Sequence, residues 1–231
     1  MAIFDLAYPG ATINAIGYNH FDNFIYGAVG PQLTENILQI SALASTVIFQ
    51  PGLNVPYPLR VADFDGAGNY WGSSVVQVTV QLGQSLGNTY WTQVNLAPGT
   101  ANYGKQIASG KAAFPPTLGM YDWVYLPEGQ QNLWTVASGI TILGFQLYRF
   151  DLSSKTWFAS TNYGTLLGLT VGAGFGALYP GEYGYFYGSE NGGGDIWRFP
   201  LPGFNNDKAV RVTSGPASSQ NDGARCWAQN G

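Results

Sequence analysis

Apolar and polar positions alternate along this chain in short runs, and Gly, Asn, Asp or Pro closes each run. A period of two is the signature of a strand with two different faces, and those closing residues tolerate turn dihedrals. The first clear unit is Ile13–Tyr18, a polar turn at 19–23, and a second run that ends on Tyr26-Gly27. The same aromatic phase returns at Trp71-Gly72, Trp134-Thr135 and Tyr187-Gly188, spaced by 45, 63 and 53 residues. Matching first strands are predicted at Leu59–Phe64, Tyr121–Leu126 and Gly174–Tyr179. Third strands follow at Asn36–Ser41, Tyr90–Leu96, Gln146–Asp151 and Asp195–Phe199, and fourth strands at Ser45–Gln50, Lys105–Ser109, Thr156–Thr161 and Ala209–Thr213.

Four strands per repeat predict an all-β fold, a β-propeller of four complete blades. The repeats run over 12–50, 58–113, 120–162 and 174–214 of a single domain, 1–231. Residues 73–88 read as an extended hairpin or inserted loop in the second blade. A fifth repeat opens at 220–231 and stops, and residues 1–8 supply it with one strand, so the two termini close the ring. That blade is half-built; either a preceding segment completes it, or the ring is irregular, or a second chain in a homodimer covers the gap.

Composition narrows the functional classes. Of 231 residues, 32 are Gly and 15% aromatic but only 10% charged, which suits short strands and Gly-rich turns and argues against disorder. Nine Lys and Arg form no cluster, so a nucleic-acid partner is not expected. No apolar run has the roughly 20 residues of a membrane span. There is no signal-peptide pattern at the start, which suits an intracellular chain or one secreted after N-terminal trimming. With one Cys and one His, Cys226 and His20, neither a disulfide within the chain nor a zinc site nor a Ser-His-Asp triad is expected, and no cofactor. Asp63–Asn69 lacks the closing Glu of a calcium loop, which leaves Asp65 as a turn residue.

In a propeller the start of each first strand faces the mouth of the central channel. The aligned positions there are Asn14, Arg60, Asp122, Phe175 and, in the partial repeat, Asp222; one step deeper stand Gly17, Asp63, Tyr125, Leu178 and Arg225. Arg60 with Asp122 or Asp222 is the minimum for holding an oxygen-rich small molecule and moving its protons. Tyr57, Tyr163 and the Phe114–Leu118 loop are expected to add an apolar and aromatic rim, with Arg225 further down; Glu190–Gly194 reads as a polar loop on the same face, a lid, a sugar contact or only a turn. The same acids and bases serve equally well as blade-locking groups that bind each other or backbone amides. A pair of carboxylates, Asp122 and Asp222, also leaves a glycosidase-type hydrolase open.

Five motifs bring in a resemblance: Asn14-Ala-Ile-Gly-Tyr-Asn19, Val61-Ala-Asp-Phe-Asp65, Asp122-Trp-Val-Tyr-Leu-Pro127, Gly184-Tyr-Phe-Tyr-Gly-Ser-Glu-Asn191 and Asn221-Asp-Gly-Ala-Arg-Cys226. Together, over about residues 12–227, they resemble a propeller-like domain family common in ascomycete fungi. Members of that family usually carry a further N-terminal segment and additional cysteines, which this chain lacks. The resemblance extends to fungal hetero-Diels–Alderases that join a tropolone quinone methide to a humulene-type sesquiterpene. It implies a cofactor-independent biosynthetic enzyme in which Arg60 and a carboxylate assist dehydration and orient two reactants in an apolar mouth. The alternative is a lectin-like or adhesive carbohydrate-binding module. Sugar sites in such a module would repeat once per blade, whereas Arg60 and Glu190-Asn191 have no counterparts in the other repeats.

Overall fold

A computed structural model of the chain describes residues 12–30, 35–41, 46–81, 84–139, 144–169, 173–204, 208–218 and 221–226. Four antiparallel sheets follow one another in sequence. The first holds β1 (Ile13–Asn19), β2 (Phe24–Val29), β3 (Asn36–Ile40) and β4 (Thr46–Phe49), in that spatial order. The second holds β5 (Val61–Phe64), β6 (Asn69–Ser73), β7 (Gln77–Gln81), β8 (Gln84–Asn95) and β9 (Lys105–Ala113). Here β7 and the first half of β8 form a hairpin, and the second half of β8 returns to pair with β6 and β9. The third holds β10 (Leu118–Gly119), β11 (Val124–Tyr125), β12 (Asn132–Gly139), β13 (Phe145–Asp151) and β14 (Thr156–Gly164), and the fourth β15 (Phe175–Pro180), β16 (Tyr185–Glu190), β17 (Asp195–Pro200) and β18 (Val210–Ser214). The one helical element among the described residues is a 3-10 turn at Pro127–Gly129, and no helix there is long and apolar enough to cross a membrane.

This is an all-β propeller arrangement of four blades, and its core lies between blades rather than within them. Leu59, Phe64 and Tyr70 of the second sheet meet Tyr26 and Ile37 of the first. The second and third sheets share Trp71, Trp91, Trp123, Phe150 and Trp157. The third and fourth share Leu147, Phe145, Phe175, Phe186 and Phe199. Period-two alternation in each strand divides these residues between the two neighbouring blades. The first strands pack tightly at the axis: a Cβ on Gly17 of β1 would lie 3.0 Å from the Cα of Asp63 in β5.

Residues 221–226 form no strand, so the partial fifth blade is not seen as a sheet. They run instead between the fourth and first blades. Gly223 lies against Ala177 and Tyr179 of β15, and Asp222 bonds to Ile16 of β1. Residues 1–8 and 227–231, expected to share in closing the ring, lie outside the described residues.

Candidate functional site

The axis is lined by three acids, each spending its oxygens on backbone N–H groups. Asp122 accepts from its own neighbour Trp123 at 2.8 Å and from Leu178 of the next blade at 2.6 Å. Asp63 repeats the pattern with Phe64 at 2.8 Å and Tyr125 at 2.7 Å. Asp222 repeats it with Gly223 and Ile16, both at 2.9 Å. Asn14 keeps half of the motif, accepting from Ala15 at 2.8 Å. One short side chain thus accepts from the residue that follows it and from a neighbouring inner segment.

Bulges supply the free donors. The β1–β2 register slips between Asn14 and Gly17, with Ala15 at a φ of 55°, so Ile16 N–H leaves the ladder and meets Asp222. The carbonyl of Ala15, freed in the same way, accepts from the buried Tyr70 hydroxyl at 2.6 Å. In β15 a second slip between Phe175 and Ala177 frees Gly176 N–H, which donates to Asn191 Oδ1 at 3.2 Å.

Burial pushes the Asp63 carboxyl up to about 7 and that of Asp222 likewise up to about 7. Burial, then the charge of Asp222, pushes Asp122 well above the ordinary carboxylate range. Backbone donors to each carboxylate oppose these shifts without cancelling them. Asp122→Ala leaves two buried N–H groups without an acceptor and should cost about 2–4 kcal/mol of stability. Urea denaturation at pH 5, where repulsion among the acids is smallest, checks it; Asp122→Asn, which keeps one acceptor, should fall between.

Above these acids lies a cavity of about 330 Å³ into which Asn14, Arg60, Tyr121, Asn191, Asn221 and Asp222 project, with Ile13 and Val75 among its few apolar walls. Backbone donors hold the oxygens of Asn14 and Asn191, which orients both amides and leaves their NH2 groups available. Asn221 is the reverse: its NH2 donates to Ser189 Oγ at 3.2 Å, leaving its oxygen as an acceptor. Among the described residues the exposed Arg60 makes no ion pair. The mouth is therefore rich in donors, with a carboxyl at its edge.

Four of the residues expected at the site, Asn14, Arg60, Asn191 and Asp222, meet in this cavity, and Asp122 lies buried below it. The others stand elsewhere. Phe175 is a core side chain, 1% exposed, packed on Phe145 and Phe199. Tyr163, expected at the rim, is half-buried against the core between the third and fourth blades and donates to Pro200 O at 2.7 Å. Tyr57 stacks on Tyr90 with ring centres 5.2 Å apart. Arg225 donates to Pro180 O, at the far end of β15. Glu190 is no part of a lid: its carboxylate folds back onto Gly192 and Gly193 N–H and closes a tight turn. Phe114 is likewise interior, packed on Trp157. The expected aromatic rim is thus replaced by a wall shared about equally between polar groups and apolar surface. Tyr121 and Asn221 are the residues that sequence reasoning missed, and each directly precedes a ring acid, which is the signal that could have found them.

Comparison with solved structures agrees with the fold. A xylan beta-1,4-xylosidase from Bacillus halodurans C-125 superposes with a TM-score of 0.55 at 12% identity, over 88% of this chain and 42% of that one. A subtype N10 neuraminidase-like protein of A/little yellow-shouldered bat/Guatemala/060/2010 gives a TM-score of 0.38 at 11% identity, over 85% and 57%. The chain therefore spans less than half of the xylosidase chain. No match was found among curated protein sequences. A family profile described as a repeat of unknown function covers residues 7–228, and the chain belongs to that family, DUF6923.

Proposed function

We propose that the channel mouth binds one oxygen-rich small molecule per chain, carbohydrate or sugar acid in class, and that Asp222 exchanges a proton with it. The supporting observation is the convergence of Arg60, the NH2 groups of Asn14 and Asn191, and the Asp222 carboxyl on a single cavity. Donors on one wall suit the acceptor oxygens of a polyol or carboxylate, and Arg60 suits a negative charge. A carboxyl raised toward neutrality is suited to general acid or base work. In this reading residues 221–226 complete the mouth as a segment between the fourth and first blades, since without them it has neither Asn221 nor Asp222.

The cycloaddition implied by the resemblance would use the same mouth. Arg60 and the amides suit the oxygen of a quinone methide, but the apolar side chains the cavity offers a humulene-type ring are few, Ile13, Val75 and the ring of Tyr121. A module with one sugar site per blade is disfavoured, because Arg60 and the Asn14–Asn191 pair of amides meet in one cavity and have no counterparts in the other repeats. Polar-ligand binding at one central site is the stronger reading.

Titration of the protein with glucuronate, glucose and tropolone tests it. Glucuronate is expected to saturate one site per chain, and Arg60→Ala to weaken it about tenfold or more with Tm nearly unchanged. Several sites per chain, or binding indifferent to Arg60, would overturn the proposal.

A further inference from the structure

A second cavity, of about 340 Å³, opens between the third and fourth blades at the β11–β12 turn, where the β17–β18 connection crosses it. It is remote from the mouth: its lining comes from the opposite ends of the strands. Trp134 forms one wall and is 6% exposed, and its indole N–H has no acceptor among the described residues. The indole nitrogen lies against Gly129, also part of the wall, and a side chain at that position would collide with it. Only glycine lets the backbone pack this close to the donor.

Arg149, opposite Trp134 in the β12–β13 register, stands in the same cavity. Its guanidinium is braced from three sides. One nitrogen, Nη1, donates to Asn132 Oδ1 at 3.0 Å and reaches Asp151 at 3.4 Å, and the carbon lies 4.4 Å from the centre of the Phe158 ring. These contacts orient the group while using one of its three nitrogens. Leu201 and Phe204 of the fourth blade supply an apolar wall. At the rim Gln130 is held at φ 60° and ψ −147°, a backbone region nearly reserved for glycine. Such strain concentrates where a function requires it.

We infer that this groove is a second binding site, one that takes a carboxylate attached to an apolar body. The carboxylate accepts from Trp134 Nε1 and from the spare guanidinium nitrogens of Arg149, and the apolar part lies on Leu201 and Phe204. A buried donor without a partner is costly to keep, about 1–3 kcal/mol, and a ligand acceptor recovers that cost on binding.

The test is titration with phenylacetate, its neutral analogue benzyl alcohol, and acetate, followed through the indole N–H resonances of the 15N-labelled protein. Phenylacetate is expected to saturate and to move the Trp134 resonance, with benzyl alcohol and acetate each at least about tenfold weaker. Trp134→Phe keeps the ring and deletes the donor; it should weaken phenylacetate about tenfold with little change in Tm. Arg149→Gln should abolish binding, and Arg60→Ala at the mouth should leave it unchanged. The inference is overturned by absence of saturation at millimolar phenylacetate, by binding that ignores Trp134→Phe, or by loss of binding in Arg60→Ala. Because the two sites answer to different arginines, failure of one leaves the other standing.

Discussion

Stability should fall as pH rises from 4.5 to 8, the reverse of a protein held by carboxylate ion pairs. Asp63 and Asp222 each titrate near 7 when folded, against 3.8 for the free group. The folded chain therefore holds these protons more tightly than the unfolded chain does. The stabilising contribution is complete below about pH 4 and is lost as pH climbs through about 7. Each group carries roughly 4 kcal/mol across that window, enough to lower Tm by about 10 °C or more by pH 8. The cause is location: three acids share the axis, and burial favours their neutral forms. Asp63→Asn removes one titration while turning an amide toward a backbone N–H. Its Tm should be lower at pH 4.5, but its loss between pH 4.5 and 8 should be about half that of the parent. A flat or rising profile in the parent would contradict this account.

Phe150→Ala is expected to be the most damaging single truncation, costing about 3–5 kcal/mol. The side chain is fully buried, and its ring centre lies 5.1 Å from that of Trp157, 5.9 Å from Trp123, 6.1 Å from Trp91 and 6.3 Å from Trp71. Those four indoles come from two blades, so the resulting cavity opens the joint between them. Large rings cannot collapse into the space without abandoning their own contacts. Guanidinium denaturation measures the loss, and near-UV circular dichroism should show a weakened tryptophan signal even where the variant stays folded. Phe150→Leu, which retains most of the apolar volume, should lose less than half as much.

Much of the architecture was legible in the sequence, because it rests on local rules. Turn residues at 19–23, 65–69 and 180–184, with period-two runs between them, locate strands within a few positions of where they lie. Register then placed Asn14, Arg60 and Asp222 at one channel mouth, since residues equivalent by repeat occupy equivalent sectors. The aromatic rim was not legible, for a physical reason. Tyr163 lies near the end of β14 and Phe114 directly follows β9, and an aromatic ring beside an interblade joint gains more from packing there than from lining a wet mouth. The blade-locking role of the ring acids was legible as a class, since acids near a propeller axis bind backbone amides, but their particular partners were not. Asp122 is recognisable as a short polar residue at a strand start, whereas its bond to Leu178 N–H, 56 positions on, exists only once two blades meet.

The tie between Asp222 and Ile16 crosses 206 residues, and this governs how the ring is made as well as how it is held. During synthesis at about 5–20 residues per second, roughly 10–40 s separate the appearance of the first inner strand from that of the carboxylate which receives its bulged N–H. For that interval the first blade has one finished flank and one exposed flank. The order of assembly is therefore directional, with the joints between successive blades forming early and the last joint setting only when residue 222 arrives. A pulse of protease during translation should find the first blade open, and the released ring closed.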